Sequence, residues 1–435
     1  MTLRERSVDS MSWMSADRLL RWATVAPLTI AGVAAAAAGA YLDVLAAAAF
    51  ANPPAGGLVP PTRRLVVLVP AHNEADFIGR CLETLHSQDY PPDLFEVAVI
   101  ADNCTDATAS IAASTGARVL VRDDPEAPGK GPALRWAMDQ VLAQARPPDA
   151  VVVVDADTVA APGLLGALAT RLEAGADAVQ GEYLALPDDD SPGATLRAAG
   201  FLLFHKVRFS GRAALGLPCN LVGNGMLFSR RLLEEMPWGA FTSAEDLEYS
   251  VDLRLAGYRP VYAHDASLRA PLPSGGRAAS VQRLRWEGGR FHVVRTRLPK
   301  LVRQIAVGRR WSLLDAAVDL AVPPLGVLAL VAAAGTAASS LLVISGAGPV
   351  WIILPWVVAS ASIPAFVLGG LASAEAPAAT YRALALAPKY VASSLLTRLR
   401  LLGGLRADTW ERTERPSDTA TTGTHSKSGN GPSST

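Results

Sequence analysis

Val151-Val152-Val153-Val154-Asp155-Ala156-Asp157 is the stretch on which the fold turns. Four consecutive β-branched residues read as a strand buried on both faces, as in a parallel sheet covered by helices. Two carboxylates follow where such a strand should end. In open α/β sheets ligands collect beyond the carboxyl ends of the strands. Paired hard oxygen donors there suit Mg²⁺ or Mn²⁺ carrying a phosphate group. Asp is equally a good turn residue, so a strand closed by a polar turn satisfies the same residues. Both readings stay open on this stretch alone.

The surrounding chain repeats the pattern. Residues 65–69 read as a strand that stops at Pro70-Ala71-His72-Asn73-Glu74, after which Phe77, Ile78, Cys81, Leu82 and Leu85 share one helical face. Residues 97–100 form the next strand and end in Ala101-Asp102-Asn103; residues 105–114 read as a helix and 118–121 as a strand. Gly129-Lys130-Gly131 opens a helix reaching about residue 145. Beyond the valine strand come a helix over 163–173 and a strand over 178–181. This βαβα order implies an α/β domain around a mostly parallel sheet with right-handed crossovers. Polar residues end the strands at Asn73/Glu74, at Asp102 and at Asp155/Asp157, which suggests one sheet edge lined to hold a nucleotide. No G-x-G-x-x-G follows the first strand, which argues against a Rossmann dehydrogenase.

Further along, Gly223-Asn224-Gly225 signals a tight turn or close backbone approach. Ser243-Ala244-Glu245-Asp246 opens an amphipathic helix with Leu247, Val251, Leu253 and Leu255 that ends near Gly257. Ser243 and Asp246 also match a helix N-cap pattern, the purely structural reading of that acidic pair. Gln282-Arg283-Leu284-Arg285-Trp286 is a second cluster, whose structural reading is an amphipathic surface helix.

Composition limits the class of protein. Half of the 435 residues are hydrophobic and 18% are charged, with a mean hydropathy of +0.24. That is too apolar for an ordinary soluble protein and too polar for a pure membrane bundle. Lys+Arg and Asp+Glu both number 40, so no basic field points to nucleic acid. Cys81, Cys104 and Cys219 lack metal or disulfide spacing, which favours a reducing compartment.

The segments follow from these patterns. Residues 1–22 are polar, and 23–50 are apolar and long enough to span a bilayer. That run exceeds a signal-peptide core, which favours an anchor over a cleaved leader. A linker covers 51–62 and the α/β domain 63–300. In the lead-in over 301–324, Asp315 and Asp319 would cost about 2.5–3.5 kcal/mol each at the centre of a span. An interfacial or protein-facing segment, broken at Pro323-Pro324, is therefore expected. Residues 325–371 hold two spans, 372–412 an interfacial amphipathic segment with Arg382, Lys389, Arg398 and Arg400, and 413–435 a disordered tail. Arg309, Arg310 and the basic residues after the third span place the domain in the cytoplasm of a multi-pass cell-membrane protein, although the N-terminal arginines pull the other way.

With these motifs in hand, the chain resembles the family 2 glycosyltransferases, membrane-bound and of the cellulose synthase or hyaluronan synthase type. The resemblance rests on Pro70-Ala71-His72-Asn73-Glu74, Ala101-Asp102-Asn103, Gly129-Lys130-Gly131, Asp155-Ala156-Asp157, Glu245-Asp246 and Gln282-Arg283-Leu284-Arg285-Trp286, in the family's order. It implies a GT-A fold with flanking transmembrane helices, a nucleotide-sugar donor (UDP-linked by expectation), a divalent Mg or Mn ion and inversion at the anomeric carbon. By that resemblance Glu74 and Asp102 contact the nucleoside and Lys130 the nucleotide side of the donor. Asp155 and Asp157 hold the diphosphate through the metal. Asp246 is the general base, and Glu245, Gln282, Arg285 and Trp286 lie by the acceptor and the leaving diphosphate. The acceptor is a glycan of an envelope or extracellular polysaccharide, or alternatively a lipid that takes a single sugar. A homo-oligomer or export partner would complete a polymer path. His72, and Ala244 before Glu-Asp, depart from the family's usual residues without removing a reacting group. A non-catalytic nucleotide-binding membrane scaffold is the alternative from another class, and an intact Asp246 argues against it.

Overall fold

The computed structural model describes residues 3–51, 60–186, 191–272 and 277–389, with side chains described from residue 23 onward except at 277–285. A long helix, α1 (Leu3–Ala49), carries the first apolar run and continues through the polar residues before it. The chain then builds one eight-stranded sheet in the order β3-β2-β1-β4-β7-β6-β8-β5. Strands β1 (Leu65–Ala71), β2 (Phe95–Asp102), β3 (Arg118–Arg122) and β4 (Ala150–Val153) pair in parallel. Helices α2 (Ile78–His86), α3 (Thr108–Ser114) and α4 (Lys130–Leu142) connect them.

The valine run explains itself in this setting. All four valines are fully buried. Val152 and Val154 join a cluster with Ile78, Leu82 and Leu85 of α2, while Val151 and Val153 join another with Leu134, Met138 and Val141 of α4. Alternate side chains serve opposite faces, so a strand covered on both sides reads as an unbroken apolar run.

Past β4 the sheet departs from the mostly parallel expectation. The remaining elements are β5 (Val159–Ala160), α5 (Leu164–Glu173), β6 (Ala178–Leu186), α6 (Pro192–Leu202), a π-helical turn (Leu203–Val207), α7 (Arg208–Ala214), β7 (Met226–Ser229), α8 (Arg230–Glu235), α9 (Glu245–Ala256) and β8 (Val261–Pro271). Strand β7 runs antiparallel to both β4 and β6, and β8 antiparallel to β5, while β6 and β8 are parallel. The sheet is mixed. The physical reason lies in the connection: α6, the π turn and α7 intervene before β7, which then enters from the opposite direction between two strands already formed.

Helix α10 (Arg277–Ala306) leaves the sheet and leads to α11 (Leu314–Ala321), α12 (Leu325–Ile344), α13 (Ile353–Ser373) and α14 (Ala378–Ala383). Among the described residues three helices are long and apolar enough to cross a membrane: Ala23–Ala49, Leu325–Ile344 and Val350–Ser373. Trp356 of α13 packs into the notch left by Gly32 of α1 and Gly335 of α12, the small-residue contact typical of apolar helix pairs. Most of the expected linker, the amphipathic segment beyond residue 389 and the tail over 413–435 lie outside the described residues.

The two carboxylates of α11 face protein. Asp319 is buried and takes an ion pair from Arg208 at 2.5 Å and another from Arg212 at 3.1 Å. It also accepts from Asn220 at 2.6 Å and from the Tyr41 hydroxyl of α1 at 3.1 Å. Asp315 pairs with Arg212 at 2.5 Å and with Arg254 of α9 at 3.2 Å. Arg290 of α10 donates to the carbonyls of Leu320 (2.9 Å) and Val322 (2.6 Å) at the end of α11. Removing one partner of a buried ion pair leaves an uncompensated charge, a loss of about 3–5 kcal/mol. Asp319→Ala should therefore unfold at a markedly lower denaturant midpoint than wild type, whereas Lys300→Ala on the surface of α10 should change it little.

Candidate active site

The carboxyl ends of β1, β2 and β4 form one edge. β1 and β2 both run out into asparagines with left-handed backbones, Asn73 at φ 54° and Asn103 at φ 48°, a conformation that Asn tolerates better than bulkier residues. Their side chains hold the following loops. Asn103 accepts from the Asp124 N–H at 2.8 Å, and Asn73 from the Thr105 N–H at 2.7 Å. The Glu74 N–H donates to the Thr108 hydroxyl at 2.8 Å, which seats Glu74 on the same edge.

Asp102 is buried and ion-paired with Arg122 at 2.5 Å. Its second oxygen accepts the Gly129 N–H at 3.3 Å. Asp102 thus ties the end of β2 to the turn that launches α4, and Arg122 was not signalled by any motif in the sequence. From that turn Lys130 reaches across the edge. Its ammonium donates to Asp155 at 2.5 Å and to the Gly223 carbonyl at 2.6 Å. The Asp155 N–H in turn donates to the Asn224 side chain at 3.1 Å. Buried Asn224 is fixed by Thr158 at 2.8 Å, and Gln180 donates to its carbonyl at 2.7 Å. The Gly-Lys-Gly, Asp-Ala-Asp and Gly-Asn-Gly motifs therefore meet at one point. Gln180 and Asn224 escaped sequence reasoning as site residues; a polar side chain inside the apolar strand expected over 178–181 was the available signal.

Gly223 brings in the acidic helix. Its φ is 82°, and a Cβ there would sit 3.1 Å from an Asp246 oxygen and 3.4 Å from the Lys130 ammonium. Asp246 and Lys130 thus face the same small space. Asp246 lies in the first turn of α9, where its carboxylate accepts the Leu247 N–H at 2.7 Å. Burial, reinforced by the neighbouring charge of Glu245, pushes Asp246 up to about 7, against the opposing pull of the Leu247 N–H and Lys130. Burial alone would lower Lys130, yet Asp155, Glu245 and Asp246 hold it above the usual lysine range, so it stays protonated. The residue at the N-cap of α9 is Ala244, which makes no side-chain cap bond.

Asp157 is half-buried beside the core thiol of Cys81, which burial and then the Asp157 charge push up to about 12. Among the described residues no group of three or more His, Cys, Asp or Glu is arranged to enclose a metal. Asp155 and Asp157 instead fit an ion that takes one or two carboxylates and completes its shell with phosphate oxygens and water, as Mg²⁺ and Mn²⁺ do.

Helix α10 closes the far side. Gly289 presses on Ser243 and Ala244, where a Cβ would lie 2.6 Å from the Ser243 hydroxyl and 2.8 Å from the Ala244 methyl. Arg297 clamps α10 to α9 through Glu248 at 2.6 Å and Asp252 at 2.8 Å. The Gln282–Trp286 cluster rides on this helix; Trp286 is exposed, and the side chains of Gln282 and Arg285 lie outside the described residues.

The sequence pattern of the family described as "Glycosyltransferase like family 2" matches residues 60–289, more than half of the chain. The chain belongs to this family. Probable glycosyltransferase YdaM of Bacillus subtilis (strain 168) is 25% identical over 238 residues, 53% of this chain and 56% of that protein. The chain thus spans about half the length of the curated relative it matches. The solved mannosyltransferase PcManGT of Pyrobaculum calidifontis, in complex with GDP-Man and Mn²⁺, aligns at a TM-score of 0.50 and 22% identity, over 79% of this chain and 99% of its own. The mixed sheet is the GT-A glycosyltransferase fold.

In this family 2 glycosyltransferase the acidic edge carries a measurable cost. A carboxyl whose folded pKa lies above its unfolded value of 3.8 holds its proton more tightly in the native state. Stability therefore falls as pH rises from 3.8 through about 7 and stays lowered above that. Asp246→Asn should raise the melting temperature above pH 7, and the gain should fade as the pH falls towards 3.8. A substitution that stabilised equally at all pH values would contradict this origin.

Proposed function

We propose that the chain is a membrane-bound, inverting glycosyltransferase that moves a sugar from a nucleotide-sugar donor to a glycan acceptor, in envelope or extracellular polysaccharide synthesis. The observation that carries this reading is the Asp246 carboxylate, raised to about 7, facing across Gly223 to the Lys130–Asp155 pair. One side of that space offers a base and the other a cation with two strand-end carboxylates. A base poised near neutral pH is the condition for efficient proton transfer.

In the proposed reaction the acceptor oxygen bonds to the anomeric carbon as the carbon–oxygen bond to the diphosphate breaks. Asp246 takes the acceptor hydroxyl's proton. Lys130 donates to the leaving diphosphate, and Arg285 on α10 adds positive charge as the resemblance implies. Asp155 and Asp157 would hold a divalent ion, which would supply electrostatic stabilisation of that developing charge. Glu74 orients the nucleoside, while Asp102, paired to Arg122, fixes the turn that carries Lys130. Glu245 keeps Asp246 basic through charge repulsion. Displacement in one step inverts the anomeric centre and needs a single catalytic carboxylate.

The apolar helices support a membrane location, with the sheet domain on the cytoplasmic side beside Arg309 and Arg310. Three such helices among the described residues favour a second reading of the acceptor, a lipid that receives one sugar, over a complete polymer channel built from those helices alone.

Donor panels of UDP- and GDP-sugars with Mn²⁺ test the proposal, with UDP-sugar turnover expected. Asp246→Asn should lower kcat by about 10²–10⁴-fold with donor affinity retained. The acid limb of kcat/KM should report an apparent pKa of about 7. Asp157→Ala should abolish metal-dependent donor binding measured by calorimetry; donor bound as tightly as in wild type would remove the metal role from that residue. A product carrying one added sugar would count against polymerisation.

A further inference from the structure

A cavity of about 170 Å³ lies apart from the strand-end site, where Leu42 of α1, Leu325 of α12 and Phe366 of α13 meet the π turn and α10. Its wall is apolar except for two arginines, Arg208 and Arg290. This depth is the domain-side end of all three apolar helices. Leu325 is the first residue of α12, Gly370 of α13 packs on Leu203 and Val207, and the Leu45 backbone of α1 lies against Gly211 of α7.

Among the described residues the charged side chains that pair around the cavity are mostly cations. Arg208, Arg212, Arg254 and Arg290 are gathered around two carboxylates, Asp315 and Asp319. Arg290 spends its hydrogen bonds on uncharged backbone carbonyls. Arg208 is buried, and its Nε has no hydrogen-bond partner among the described residues, although another nitrogen pairs with Asp319. Burial, then the charge of Arg208, lowers Arg290 to about 10 in spite of Asp319. A buried cation surplus beside an apolar wall complements one kind of molecule: an anion with a hydrocarbon chain.

We propose that this cavity binds one anionic phospholipid of the surrounding membrane, its phosphate on Arg208 and Arg290 and its proximal chain along Leu42, Leu325 and Phe366. The proposal rests on the reading of the three apolar helices as membrane spans, which put this cavity at headgroup depth. It also bears on the proposed transfer. Arg290 follows Gly289, the residue that presses on Ser243 and Ala244 beside Asp246. A lipid phosphate on Arg290 would steady α10 against the helix that bears the base.

The test uses the full chain purified in detergent, with phosphatidylglycerol, phosphatidylcholine and inorganic phosphate as probes. Native mass spectrometry should show one phosphatidylglycerol retained per chain, about tenfold tighter than phosphatidylcholine, which presents the same phosphate oxygens but brings a choline cation towards the two arginines. Inorganic phosphate should neither bind comparably nor displace it. Two variants locate the site. Arg290→Gln removes a cation, and Gly200→Leu fills the cavity at a lining residue whose Cβ would meet nothing within 4 Å. Each should retain donor-nucleotide binding and lose about tenfold in lipid affinity. Equal retention of the two lipids, displacement by phosphate alone, or undiminished binding by Gly200→Leu would each overturn the proposal. The wild-type comparison decides even where a variant fails to fold. The membrane reading is judged separately: a chain released from membranes by a carbonate wash would overturn that reading, whatever the lipid assay shows.

Discussion

Asp319 sets the relation between the sheet domain and the apolar helices. A buried carboxylate costs several kcal/mol in desolvation, offset only when its lone pairs are fully used in good geometry. Here Arg208, Arg212, Asn220 and Tyr41 all converge on it, from α7, the following loop and α1. Such a network tolerates little displacement, because any lost partner leaves a charge stranded in a poor solvent. Its neighbour Asp315 extends the constraint to Arg254 near the end of α9, and Arg290 extends it to α10. The same α9 begins with Glu245 and Asp246. The proposed base is thereby referenced, through one helix, to the apolar helices rather than to the sheet alone.

The strand-end site is electrostatically tense. Asp155, Glu245 and Asp246 act on one ammonium, Lys130, and the last of these carboxylates resists ionisation because it is buried beside Glu245. Stability is sacrificed where like charges are concentrated, a common feature of functional sites. A diphosphate and a divalent ion would suit this arrangement by exchange of partners, phosphate oxygens taking Lys130 and the metal taking Asp155. Each charge would then keep a counter-charge, and the Lys130–Asp155 pair would serve as a placeholder of the right polarity for the proposed ligands.

Much of this was legible in the chain because the signals are local. The valine run marks a strand covered on both faces, and the polar breaks after β1, β2 and β4 share an edge because parallel strands share a direction. Asp315 and Asp319 were legible as protein-facing because hydrocarbon penalises carboxylates. What was not legible depends on partners distant in sequence. β7 is four residues, Met226–Ser229, buried throughout and without alternation, so neither its existence nor its antiparallel direction has a local signature. Arg122 lies 20 residues from Asp102, and Gln180 is 44 residues from the Asn224 carbonyl that it holds; only the register of the sheet brings them together.

Register also explains why two strand-end aspartates that look alike in sequence differ in kind. β2 pairs with β3 so that Asp102 stands opposite Arg122. A rigid neighbour in the sheet thus supplies a guanidinium matched to the carboxylate, and the Gly129 N–H takes the other oxygen. That pairing is held by backbone geometry on both sides and does not readily exchange. Asp155 lies past the end of β4, whose flanking strands are β1 and β7. Residues 65–71 and 226–229 of those strands include no basic residue. Its cation arrives instead from α4, on the four-carbon stem of a lysine that is free to swing to a phosphate. The sheet therefore separates its acids into one that builds the edge and one that the edge can lend to a ligand, and the choice is made by which strand lies alongside.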